Sequence, residues 1–150
     1  MHTMIKYIFL FIQFSILITS VTTTGCSSSE EQTAFKFGIG KYRFTMSDST
    51  GKKMAEGTLE VKTYASDKIS GTYEFTNIYE KDFPGLSTMD GLFEGNVIPS
   101  EKKVFINTNP RIADSNVFWN MLIKKNSVSG EWNFSVFRGS MNKGKVKIFK

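Results

Sequence analysis

A five-residue pattern, glycine followed by alternating variable and apolar positions, recurs along this chain and restricts the folds open to it. It occurs at Gly40-Lys41-Tyr42-Arg43-Phe44, Gly57-Thr58-Leu59-Glu60-Val61, Gly71-Thr72-Tyr73-Glu74-Phe75, Gly130-Glu131-Trp132-Asn133-Phe134 and Gly144-Lys145-Val146-Lys147-Ile148, with a broken copy at Gly91-Leu92-Phe93. Alternation with period two puts the apolar side chains on one face of a strand, as a half-buried antiparallel sheet requires. Two further runs join the set, 103–108 and 116–124. In the second, Val117, Trp119, Met121 and Ile123 alternate, while Phe118 and Leu122 make the opposite face apolar too. That strand is expected to be covered on both sides.

Pro84, Pro99 and Pro110 all fall between these runs, where a missing N–H breaks no ladder. No segment shows a helical period with caps. The reading is therefore all-β, with eight strands at 40–47, 56–65, 68–79, 91–98, 103–108, 116–124, 128–137 and 144–149. Eight sequential strands with short links predict an antiparallel up-and-down β-barrel, because closure removes exposed edges; a two-layer β-sandwich is the alternative. In strand number and in glycine-plus-aromatic starts the domain resembles the lipocalin and avidin architecture. That resemblance brings no ligand residues with it.

The amino end has a different composition. Lys6 precedes an apolar run from Tyr7 to Val21, followed by Thr22-Thr23-Thr24-Gly25-Cys26, which is the zone order of an export signal. The 15-residue run, interrupted by Gln13 and Ser15, falls short of the about 20 residues of a membrane span. Gly25-Cys26 with Thr24 before it resembles the cleavage site of a bacterial lipoprotein, with Thr23 where that family has Leu. The resemblance covers the first 26 residues. It implies a signal peptide over 1–25 and lipid on Cys26, the single cysteine of the chain, with several acyl chains holding the protein on a membrane. The expected location is the bacterial outer membrane or cell surface, with the periplasmic face as alternative. Ser27-Ser28-Ser29-Glu30-Glu31-Gln32-Thr33 has no apolar residue and reads as a flexible tether over 26–34. A single domain over 35–150 follows.

From Cys26 onward the chain carries 18 Lys and Arg against 14 Asp and Glu. This modest, scattered excess lacks the concentrated basic face of a nucleic-acid binder, so no nucleic-acid partner is expected. The one histidine, His2, precedes the export signal, which leaves the rest of the chain without Ser–His–Asp or Cys–His chemistry and without zinc ligands of the usual kind. Ser100-Glu101-Lys102-Lys103 matches a Ser-x-x-Lys spacing but lies on an expected turn without the partner motifs of that enzyme class. Glu80, Asp82 and Asp90 have no spacing that would fix them as a hydrolytic pair. No catalytic residue, metal or cofactor is expected.

What remains is a binding or interaction module, or a structural envelope component contacting neighbouring proteins or the cell wall. Its partner would be a protein, a glycan or a small apolar ligand. In a meander, one end carries the links 48–55, 80–90, 109–115 and 138–143, while the other carries 66–67, 99–102 and 125–127 together with the chain entry. The long-link end is expected to face away from the membrane, with Asp82, Phe83 and Arg111 as candidate contacts there. Lys68, Lys102, Lys103, Lys124 and Lys125 make the entry end basic, suited to anionic headgroups. Tyr73, Trp119 and Trp132 point inward and would contact a ligand if the barrel were hollow; a barrel of this size is expected to be filled by its own side chains.

Overall fold

The computed structural model describes residues 35–150. The expected signal peptide over 1–25 and the expected tether over 26–34, with Cys26, lie outside these residues. Eight strands follow in order: β1 Gly40–Asp48, β2 Lys53–Ala65, β3 Lys68–Ile78, β4 Leu92–Ile98, β5 Lys103–Asn107, β6 Asn116–Ile123, β7 Val128–Val136 and β8 Gly139–Phe149. Each pairs antiparallel with the next, and β8 pairs with β1 from Arg43↔Phe149 to Asp48↔Gly144, so the sheet closes. The result is the eight-stranded up-and-down barrel, not a two-layer sandwich.

Strand pairing explains the recurring glycine. Gly57 faces Phe44, Gly71 faces Phe93 and Gly144 faces Trp132 across the ladder. A Cβ on Gly57 or Gly71 would come within 2.9 Å or 2.8 Å of the opposing ring, and on Gly144 within 2.7 Å of the Trp132 indole nitrogen. The bare backbone leaves room for the aromatic side chain of the neighbouring strand to lie over it. This pairing lets a tightly curved sheet hold large rings inside.

Two strands, β2 and β8, extend through bulges. Between Met46↔Ala55 and Ser47↔Lys53 the extra residue is Met54, and between Phe134↔Asn142 and Ser135↔Ser140 it is Met141. Beyond these points β2 begins at Lys53 and β8 at Gly139, earlier than alternation predicts. The links expected at 48–55 and 138–143 therefore shrink to 49–52 and 137–138. A four-residue helix, α1 (Pro84–Ser87), also appears where no helix is expected; it is too short to show a period.

The interior is packed. Phe44, Met46, Leu59, Phe93, Ile106, Trp119, Trp132 and Ile148 are among its fully buried side chains. Both ends are closed by segments of the same domain. At the chain-entry end the Phe35 N–H donates to the Lys125 carbonyl at 3.0 Å, and the buried Phe37 packs 5.1 Å from the Tyr42 ring. The Tyr42 hydroxyl accepts from the Gly38 N–H at 3.1 Å and donates to the Gly38 carbonyl at 2.9 Å, which fixes this strap. At the opposite end the link 79–91 folds over the mouth. There Leu86 is buried, and Phe83 meets Trp132 edge-on at 5.0 Å.

Candidate functional site

The three aromatic residues that sequence alternation points inward are core. Trp119 lies 5.2 Å from Phe44 and 6.4 Å from Tyr73, and Trp132 is capped by Phe83. Their polar atoms are largely engaged as well: the Tyr73 hydroxyl donates to the Thr108 carbonyl at 3.0 Å and the Trp132 indole N–H to the Ser47 carbonyl at 2.8 Å. Burial pushes the Tyr73 phenol above its ordinary pKa, with the Asp90 charge adding to the shift, so it stays a hydrogen-bond donor at neutral pH. Among the described residues, four buried side-chain atoms have no protein partner: both amide atoms of Asn109, Oδ1 of Asn116 and Nε1 of Trp119. Ordered water commonly satisfies such atoms.

Of the surface candidates, Phe83 turns inward as the plug over Trp132, while Asp82, one residue earlier, is exposed. The structure thus separates two neighbours that the sequence grouped. Arg111 is exposed on the link between β5 and β6. That link is tied to the β7–β8 hairpin, because the Phe137 N–H donates to Asp114 Oδ1. Phe137 at the hairpin tip is 95% exposed, the bulged Met141 63% and Ile112 49%. Phe137 and Met141, with Arg138 between them in the chain, give the β7–β8 hairpin an apolar and cationic rim at the end away from the chain entry, whereas Arg111 lies against the outer wall of β2–β4 beside Lys62, Ser70 and Glu94. Exposed phenylalanine at a hairpin tip costs hydration and packs against nothing in the domain, so it marks a contact surface more clearly than the charged links do.

Sequence reasoning missed Phe137, Arg138, Met141 and Ile112. A signal was present: Val136-Phe137 puts two apolar residues in succession, immediately before the turn residues Arg138-Gly139. One of the two has to leave the core face.

Glu80, Glu56 and Asp48, near this end, are engaged in local structure. Lys52 pairs with Glu80. Glu56 accepts from Lys53, from Asn77 Nδ2 at 2.7 Å and from the Tyr79 hydroxyl at 2.8 Å, and these contacts, the lysine first, lower its pKa to about 2. Asp48 accepts from the Thr50 hydroxyl at 2.7 Å, the Thr50 N–H at 2.8 Å and the Lys52 N–H at 2.9 Å; the hydroxyl contributes most to holding its carboxyl below the usual range. Carboxylates stabilised as anions in this way are poor proton acceptors. Among the described residues no group of three His, Cys, Asp or Glu side chains is placed to hold a metal. Ser100 and Glu101 lie on a 3-10 turn, Pro99–Glu101, at the opposite end.

No family model, curated protein or solved structure matches the chain. The rim is therefore interpreted from its own chemistry. It can bury apolar area against a partner and present the Arg138 guanidinium to a carboxylate or phosphate.

Proposed function

We propose that the protein is a lipid-anchored envelope protein that acts as a binding or interaction module, with the Phe137 rim as its partner surface. The observation that carries this reading is the 95% exposure of Phe137. It stands beside Arg138, opposite the end where residue 35 enters the barrel. An anchor on Cys26 would hold the entry end near the bilayer and leave the rim free. A filled interior supports recognition at the surface over capture of a small apolar ligand inside. Aromatic and arginine residues are also the side chains that dominate protein interfaces.

The expected location is the bacterial outer membrane or cell surface. Intact mass of the mature protein reads the anchor: acyl chains on Cys26 support it, and an unmodified thiol rejects it. A photocrosslinking residue at position 137 in living cells reads the rim. It should give a discrete adduct that the same residue at position 131, on the side wall, does not; equal labelling at both positions would count against the rim. An adduct stoichiometric with the protein at steady state would favour a structural envelope role over a dissociable partner.

A further inference from the structure

A second apolar surface lies on the outside of the barrel next to the chain entry. Ile98, Lys103 and Leu122 pair in one row across β4, β5 and β6. They point outward, since their neighbours Val97, Val104 and Met121 are buried. Ile98 is 42% and Leu122 46% exposed. Farther along the same wall Phe105 and Phe118 stack with ring centroids 5.6 Å apart, so the outer face that the sequence made apolar continues toward the middle of the barrel.

The surroundings of this patch are basic. Lys102 and Lys103 follow Ile98 through the 3-10 turn, and Lys124 and Lys125 follow Leu122. The two turns are joined where the Ile123 N–H donates to the Lys102 carbonyl at 2.7 Å. Among the described residues Glu101 pairs with Lys103, and no carboxylate pairs with Lys102, Lys124 or Lys125. The chain enters at this point, since the Phe35 N–H donates to the Lys125 carbonyl. Residues 27–34 separate Cys26 from Phe35, and the nine Cα-to-Cα steps between the two reach at most about 30 Å when extended.

We propose that this rim docks on an anionic bilayer surface, with Lys102, Lys124 and Lys125 among the headgroup phosphates and Ile98 and Leu122 in the interfacial layer. Protein interface cores are depleted in lysine, whereas lysines near an anionic leaflet gain about 1 kcal/mol each. Flexible ammonium groups around branched aliphatic side chains therefore fit lipid better than a protein partner. The proposal rests on the anchor reading for the bilayer's being at hand, and the docking chemistry is independent of it.

The test uses the chain from residue 27 onward, which lacks Cys26 and contains every strand and both plugs of the closed barrel. It should co-sediment with phosphatidylglycerol vesicles at low salt and be released by salt or by exchange for phosphatidylcholine. Lys124→Gln with Lys125→Gln should weaken partition about 30-fold, and Leu122→Asn about 5-fold. The same loss of charge at Lys81 and Lys143, on the other half of the barrel, should leave it nearly unchanged. All substituted side chains are exposed, so circular dichroism and melting temperature should match the parent. Absence of binding to anionic vesicles, or equal weakening by both double variants, overturns the proposal. So does a dimer in light scattering that Leu122→Asn dissolves, which would assign the patch to a second copy. The acyl mass of the mature protein reports on the anchor separately, so failure of docking and failure of anchoring give different results.

Discussion

The two mouths of the barrel are closed by different means. At the entry end a short strap does it, with one buried ring, Phe37, and a tyrosine hydroxyl that accepts from and donates to the same glycine. At the other end a thirteen-residue link with its own helical turn lays Phe83 and Leu86 across the opening. Outside these plugs the contrast continues: lysines and branched aliphatics surround the strap, while an exposed phenylalanine, a methionine and Arg138 stand on the hairpin at the lid end. Closing a mouth and meeting a partner are separate tasks, and neighbouring residues divide them. Phe83 goes in and Asp82 stays out; Val136 is half-buried and Phe137 is exposed.

This contrast can be broken most decisively at the lid. Replacing 81–89 with a neutral flexible linker removes both Phe83 and Leu86 and is expected to cost roughly 5 kcal/mol in denaturant unfolding, on large-to-small core values. Such a loss would take roughly a third or more of the stability of an ordinary domain. Lost partner capture in that variant would thus report an opened barrel, and Asp82→Ala or Phe137→Ser is the better probe of recognition. A cost under about 1 kcal/mol would show that the link does not seal the mouth. At the other end Phe37→Ala should cost about 3 kcal/mol while leaving the Phe137 crosslink intact. If it cost more than the lid replacement, the strap would be the principal closure.

A smaller effect distinguishes the ends through pH. The folded pKa of Glu56, lowered to about 2 from 4.5, means that its contacts stabilise the fold fully above the unfolded value. That stability is lost as pH falls from about 4.5 toward about 2. Glu56→Gln should lower stability at neutral pH, where the contacts of the carboxylate are intact, and converge with the parent near pH 2, which flattens the acid limb in this window. Amide exchange would place the loss in β2 and β3 beside the lid. An unchanged acid limb would assign acid sensitivity elsewhere.

Much of this architecture is legible in the chain, because period-two alternation survives wherever the ladder is regular. It fails at two strand starts, and both failures have the same cause. Met54 and Met141 are bulge residues; one extra residue shifts the phase of the alternation, so Lys53–Ala55 and Gly139–Lys143 do not look like continuations of their strands. The glycines announce the strands, but their reason lies in register. That Gly57, Gly71 and Gly144 each lie under a ring depends on which residue of the adjacent strand they face.

The site was less legible. Alternation places Tyr73, Trp119 and Trp132 inside, yet whether inward aromatics line a cavity or fill it depends on volumes contributed by all eight strands. Conversely Phe137 is exposed only because the hairpin turns there, and the composition of the link offered charges as the more conspicuous candidates. The apolar outer face of β6 was visible in Phe118 and Leu122. The expectation that something covers it is met by nothing within the described domain, and that is the basis of the proposed bilayer contact.

The β1–β8 pairing that closes the barrel also brings the two chain termini of the domain to one side. Arg43 lies 4.9 Å above the Phe149 ring and donates to the Lys150 carbonyl at 3.4 Å, on the same side as the strap at residue 35. A short peptide joining 150 to 35, with the chain reopened at 137–138, would keep all eight strand neighbours in place. Such a permutant begins at the lid end, so anything attached to its new amino terminus would hold the molecule inverted: the same barrel with its lysines outward and the hairpin tip turned back toward its support.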